Sequence, residues 1–165
     1  MTFMRFCLID KVLAIHANES IRGIKNITVN EEVLRFHFPD YPVYPGTLVV
    51  EAAAQLSGFL LEYSLNQPNT AIKRAVLMQI EKAKFSHRML PGDQLIIDSE
   101  IVSQFADAAK VECQVKIQDS SDEINCASIQ LQFKMFDVDL PAVHKQQREI
   151  YRQWTRHLNL DRQIL

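Results

Sequence analysis

The chain has 165 residues, 47% of them apolar, with a formal net charge of −2 and a sequence pI near 6.2. That length predicts one domain with an ordinary core, and the slightly acidic balance argues against general binding to nucleic acid or to an anionic membrane surface. Cys7, Cys113 and Cys126 are scattered and form no CxxC pair, so they do not read as a disulfide framework or a zinc site; reduced, structural thiols are expected.

In residues 1–20 the apolar run is broken by Arg5, Asp10 and Lys11, and no small-residue cleavage site follows. The segment reads as neither a signal peptide nor a membrane span, and a cytoplasmic location is the resulting expectation. Two strand-like runs come next, Cys7 to Ile15 and Ile21 to Val29, joined by a polar turn at Ala17-Asn18-Glu19. The loop from Phe36 to Pro45 contains Pro39, Pro42 and Pro45, which hold the backbone in extended or turn geometry.

Gly46 to Asn66 reads as a helix that is apolar on more than one face, through Leu48, Val49, Val50, Ala52, Ala53, Leu56, Phe59 and Leu60. A helix of that kind is buried. It should give way to a polar stretch, Asn66-Gln67-Pro68-Asn69. Strands are expected at Ala75 to Phe85 and Gln94 to Ser103, on either side of a Pro91-Gly92 turn. Period-two alternation marks two more strands, through Val111, Cys113, Val115 and Ile117, and through Ile129, Leu131, Phe133 and Met135. Asp119-Ser120-Ser121-Asp122 is their hairpin turn.

From Val143 onward the tail looks helical and amphipathic, with Ile150, Trp154 and Leu158 on one face; it carries Lys145, Arg148, Arg152, Arg156 and Arg162. These elements suggest an α+β domain over residues 1–140, in which an antiparallel sheet wraps a single buried helix, with a helical extension over 141–165.

Three residues around the buried helix stand out. Glu51 is the only charged residue between Thr47 and Leu61. A buried carboxylate costs several kcal/mol unless it is paired, hydrogen-bonded or protonated, and a raised carboxyl pKa would suit a general acid. A structural carboxylate at a dimer seam or a cavity wall, held by a buried hydrogen bond, is the competing explanation. His37 lies between Phe36 and Phe38, an apolar setting that favours the uncharged, proton-accepting imidazole. Taken alone, His37 is also compatible with a purely structural role. Gly46 opens the helix after Pro45. Its N–H belongs to the first turn, which has no internal acceptor and carries the positive end of the helix dipole, so it suits a developing oxyanion. Ordinary turn punctuation would also place a glycine here. Base, acid and oxyanion donor together suit proton abstraction beside a carbonyl; no phosphate loop, metal-ligand cluster or GxSxG elbow is found.

The segment HFPDYPVYPGTLVVEAAAQ, residues 37–55, resembles the active-site segment of the beta-hydroxyacyl-acyl-carrier-protein dehydratases of fatty acid synthesis (FabZ type). LIDKVLAI and IKNITVNE resemble that family's first two strands, and IEKAKF with MLPGDQL its strand after the helix and the next turn. The resemblance implies a hotdog fold, a homodimer that can assemble as a trimer of dimers, and an active site at the dimer seam with His37 of one subunit facing Glu51 of the other. It implies elimination of water from a (3R)-hydroxyacyl thioester carried by acyl carrier protein. His37 would act as base, Glu51 as acid and the Gly46 N–H as oxyanion donor, with no metal or organic cofactor. Phe36 and Asp40 stand where the family has glycine, and Tyr41 where it has a second histidine. These departures bear on the acyl substrate more than on the reaction. A hotdog thioesterase and a non-catalytic carrier-binding subunit are the alternatives. For the basic tail, docking of the acidic carrier protein and packing through Trp154 onto the chain's own sheet are both expectations.

Overall fold

A computed structural model describes residues 6–66 and 71–160. The polar stretch Gln67-Pro68-Asn69, the basic Arg162 and Arg5 of the opening segment lie outside the described residues. Six strands form one antiparallel sheet. In chain order they are β1 (Lys11–His16), β2 (Ser20–Asn26), β3 (Lys73–Phe85), β4 (Gln94–Phe105), β5 (Ala108–Asp119) and β6 (Asp122–Asp137), and their spatial order is β1-β2-β4-β5-β6-β3. Helix α1 (Gly46–Leu65) lies against the concave face of the sheet, and α2 (Pro141–Trp154) follows β6. This is the hotdog fold, with an additional C-terminal helix.

The strand pattern follows from burial. On β5, Val111, Cys113 and Val115 are sealed against α1, while the residues between them keep access to water. On β6, Ile129, Leu131, Phe133 and Met135 do the same. Ser120 takes a φ of 50° in the two-residue turn between the paired Asp119 and Asp122. α1 is long and apolar enough to cross a bilayer by composition alone; its burial under the sheet accounts for that composition.

The first two strands are shorter than expected. β1 begins at Lys11 rather than Cys7, because the Leu8 N–H donates to the Gln55 side chain (2.9 Å) and is not available to a ladder. β2 stops at Asn26 rather than Val29, because the Ile27 N–H donates to the Asp93 carbonyl and its own carbonyl accepts from Gly92 (2.8 Å). The chain is thereby tied to the Pro91-Gly92 turn.

The tail approaches the chain's own sheet at β1. Its aromatic side chains also meet α1, where Phe59 stacks on Tyr151 (ring centroids 4.1 Å) and meets Trp154 edge-on (6.1 Å). Leu158 lies beyond the helix end and is half-buried against the core. Lys145, Arg148, Arg152 and Arg156 form the solvated face.

Candidate active site

The loop before α1 is a set of short local ties. A 3-10 turn over Glu32–Arg35 delivers His37, whose N–H donates to the Val33 carbonyl (3.2 Å). Phe38-Pro39-Asp40-Tyr41 then forms a tight turn, with Phe38 and Tyr41 bonded through both backbone N–H groups. Pro39 fixes the first corner, and Asp40 takes the second with a φ of 65°, the pattern of a type II turn. That position favours glycine, and aspartate is among the few side chains that tolerate it. Asp40 therefore preserves the bend that glycine would make.

His37 is locked in orientation. Its Nδ1–H donates to the Val43 carbonyl (2.8 Å), and the Val43 N–H returns a bond to the His37 carbonyl (2.9 Å). The Nε2 lone pair is left free to take a proton. The apolar surround expected for this histidine is only partly present: Phe38 stacks on the imidazole (4.4 Å), but Phe36 is 73% exposed and points into solvent, and His37 itself is half-buried. Tyr41, at the position of the second histidine, hydrogen-bonds to Arg88 and ties the loop to the β3–β4 connection.

α1 starts at Gly46 with no side-chain cap, so the Gly46 N–H has no partner among the described residues. A Cβ at Gly46 would lie 2.9 Å from the tip of the Phe85 ring, so a larger residue here would have to push that partly exposed ring aside. Glu51 comes one and a half turns later. It is half-buried rather than buried, and its Oε1 accepts from Gln55 Nε2 (2.9 Å). Gln55 is itself held by the Phe6 carbonyl (3.0 Å) and the Leu8 N–H, so it fixes the direction of the carboxylate. The Glu-Ala…Ala-Gln spacing already put Gln55 one turn from Glu51, on the same face; its positioning role depends on residues 6 and 8, which no local pattern reveals.

The buried carboxylate of α1 is a different one. Glu62 is 4% exposed and accepts from Arg74, from the Tyr151 hydroxyl (2.8 Å) and from the Ala75 N–H (3.1 Å). Burial pushes its carboxyl above the usual range, while Arg74 and the other donors pull the other way. The Tyr151 hydroxyl is raised well above its ordinary value by burial and by the neighbouring carboxylate. Arg74 also donates to His144 Nδ1 (3.0 Å), and His144 Nε2 donates to the Val138 carbonyl (2.7 Å). Sequence reasoning gave neither Glu62 nor His144 a role.

A cavity of about 310 Å³ opens beside Glu51 and runs along α1 to Glu62, with Ala75 and Leu77 of β3 opposite. His37 is not among its lining residues, and no hydrogen bond or ring contact joins His37 to Glu51 within the chain. Gly46 and Glu51 share one helix; His37 is held apart on its loop.

A family profile described as the FabA-like domain matches residues 2–125. The chain belongs to this family. The 3-hydroxyacyl-acyl-carrier-protein dehydratase FabZ of Psychrobacter arcticus is 43% identical over 114 residues, spanning 69% of this chain and 78% of that protein. The FabZ of Rickettsia canadensis is 47% identical over 113 residues, spanning 68% and 78%. Among solved structures, smu.793 from Streptococcus mutans UA159, bound to acetyl CoA, superposes with a TM-score of 0.61 at 16% identity, covering 84% of this chain and 96% of its own; that is a likeness of fold.

Proposed function

We propose that the chain is a (3R)-hydroxyacyl-acyl-carrier-protein dehydratase whose His37 and Glu51 meet across a dimer seam. Identity of 43 to 47% to FabZ dehydratases carries the activity and favours elimination over thioester hydrolysis. The enzyme is a hydro-lyase. His37 Nε2 takes the proton from the carbon next to the thioester carbonyl. The electron pair forms the double bond as the C3–oxygen bond breaks, and Glu51 protonates the departing hydroxyl to give water and the trans-2-enoyl thioester. The Gly46 N–H donates to the thioester oxygen as enolate charge grows. Before the next turnover the proton on His37 passes to solvent, and Glu51 is reprotonated.

The edge strand β3 supports this seam. This strand is a sheet edge, and Val76, Met78 and Ile80 on it are exposed. An unpaired edge carrying apolar side chains suits pairing with its symmetry mate. Phe85, at its end, lies on Gly46, so this edge and the catalytic helix start are neighbours. Pairing there gives a homodimer, and three such dimers make the hexamer; acyl carrier protein in the cytoplasm is the partner. The reaction is carried by residues 1–140, with α2 as an extension.

Turnover of a (3R)-hydroxyacyl carrier substrate, followed by enoyl absorbance and product mass, tests this. Wild type should lose water, and Glu51→Gln should be slower by about 10²–10⁴-fold. Free acid as product would make the chain a thioesterase. Absence of any reaction would reduce it to a binding subunit.

A further inference from the structure

We propose that α2 is the end wall of the acyl pocket and sets the longest acyl chain the enzyme accepts, an inference that rests on the dehydratase reading. On α1 the cavity is lined by Glu51, Ala54, Gln55, Gly58 and Glu62. Their spacing puts them on one helix face, and the eleven rises of ~1.5 Å from Glu51 to Glu62 make that face about 16 Å long. Glu51, which performs the chemistry, stands at one end. Ala54 and Gly58 keep the floor low along the middle. A Cβ built on Gly58 meets nothing nearer than the Ala75 Cβ at 4.0 Å.

At the Glu62 end stand Tyr151, bonded to Glu62, and Gln147, bonded to Tyr151; Ile150 and Trp154 of the same helix also line the cavity. This wall is fixed in place. Tyr151 stacks on Phe59 and donates to Glu62, and the His144 turn of the helix is held by Arg74 and the Val138 carbonyl. The end is also polar, because Glu62, Gln147 and the Tyr151 hydroxyl gather there. An alkyl terminus reaching the half-buried Gln147 amide would strip it of water and give no hydrogen bond back. The family match ends at residue 125 and α2 begins at Pro141, so the wall lies outside the matched domain. The cavity, about 310 Å³, bounds the acyl volume that can lie between Glu51 and α2.

The test is kcat/KM on (3R)-hydroxyacyl carrier substrates from about four to about sixteen carbons, where one methylene is worth roughly tenfold or more. Wild type should fall by at least about tenfold beyond the limit. Gly58→Leu adds a side chain at a position that lines the pocket, where a Cβ makes only ordinary contact with Ala75, and replaces a poor helix former with a good one. It should lower the limit, losing at least about tenfold on the mid-length substrates while the shortest stay within about twofold. Trp154→Ala should raise the limit. If leucine prevents folding, Gly58→Ala, whose Cβ makes only ordinary contact, should show the same selective loss to a smaller degree. Equal turnover of all lengths by wild type, or a uniform loss in the Gly58 variants, would overturn the end-wall role while leaving the dehydratase intact. No elimination at any length would remove both.

Discussion

Replacing Glu62 by alanine should cost the fold about 3–5 kcal/mol, the usual penalty for leaving a buried charge without its partner. The magnitude follows from what the substitution strands. Arg74 is 8% exposed, and among the described residues its Nε already lacks an acceptor and, without Glu62, its guanidinium keeps only His144. The Tyr151 hydroxyl and the Ala75 N–H lose their acceptor at the same time. A loss of that size is a large share of the ~5–15 kcal/mol that holds a typical domain together. Trp154 is the chain's one tryptophan and is buried against Phe59, so its fluorescence during urea unfolding reports both global stability and the docking of α2. Glu62→Gln keeps the shape and an acceptor, so it should fall between wild type and Glu62→Ala. The double variant Glu62→Ala with Arg74→Met should recover part of the loss, because no orphan charge remains. Glu62→Ala within about 1 kcal/mol of wild type, or a double variant whose loss is the sum of the singles, would refute the view that charge burial holds α2 to α1.

Two further outcomes follow from local geometry. At Asp40, where φ is 65°, glycine should be tolerated to within about 1 kcal/mol, whereas Asp40→Val should cost about 1–3 kcal/mol; thermal melts showing the two variants equal would contradict the type II turn. Burial pushes the Cys126 thiol from its ordinary value to about 11. A folded value above the unfolded one means that this contribution is fully present below the unfolded value and is lost as pH rises through the folded one. Stability should therefore fall as pH climbs toward about 11, and urea midpoints should fall less steeply over that window in Cys126→Ala. Equal slopes would place the thiol in a more polar setting than the sheet interior.

Much of the fold was legible because one face of each long strand is dry. Val111-Cys113-Val115 on β5 and the Ile129 to Met135 set on β6 needed only their alternation to be read. The ends of β1 and β2 were not legible, because the Leu8 and Ile27 N–H groups go to Gln55 and Asp93, partners set by tertiary structure. The loop histidine and the helix glycine could be picked out by residue type and position, and so could Glu51, although its expected burial was wrong for the isolated chain. Glu62 sits on the Glu51 face of α1, three turns on, just past the apolar window that made Glu51 conspicuous. Its partners come from β3 and α2, so nothing local marked it as the buried acid.

The most direct measurement mixes two inactive variants, His37→Ala and Glu51→Gln, unfolded together and refolded as one population. If the two residues meet across a seam, each heterodimer contains one site with an intact His37 and an intact Glu51, and random pairing should restore about a quarter of the wild-type sites for dehydration. Persistent inactivity of the mixture, with each variant folded and dimeric, would contradict a site shared between subunits.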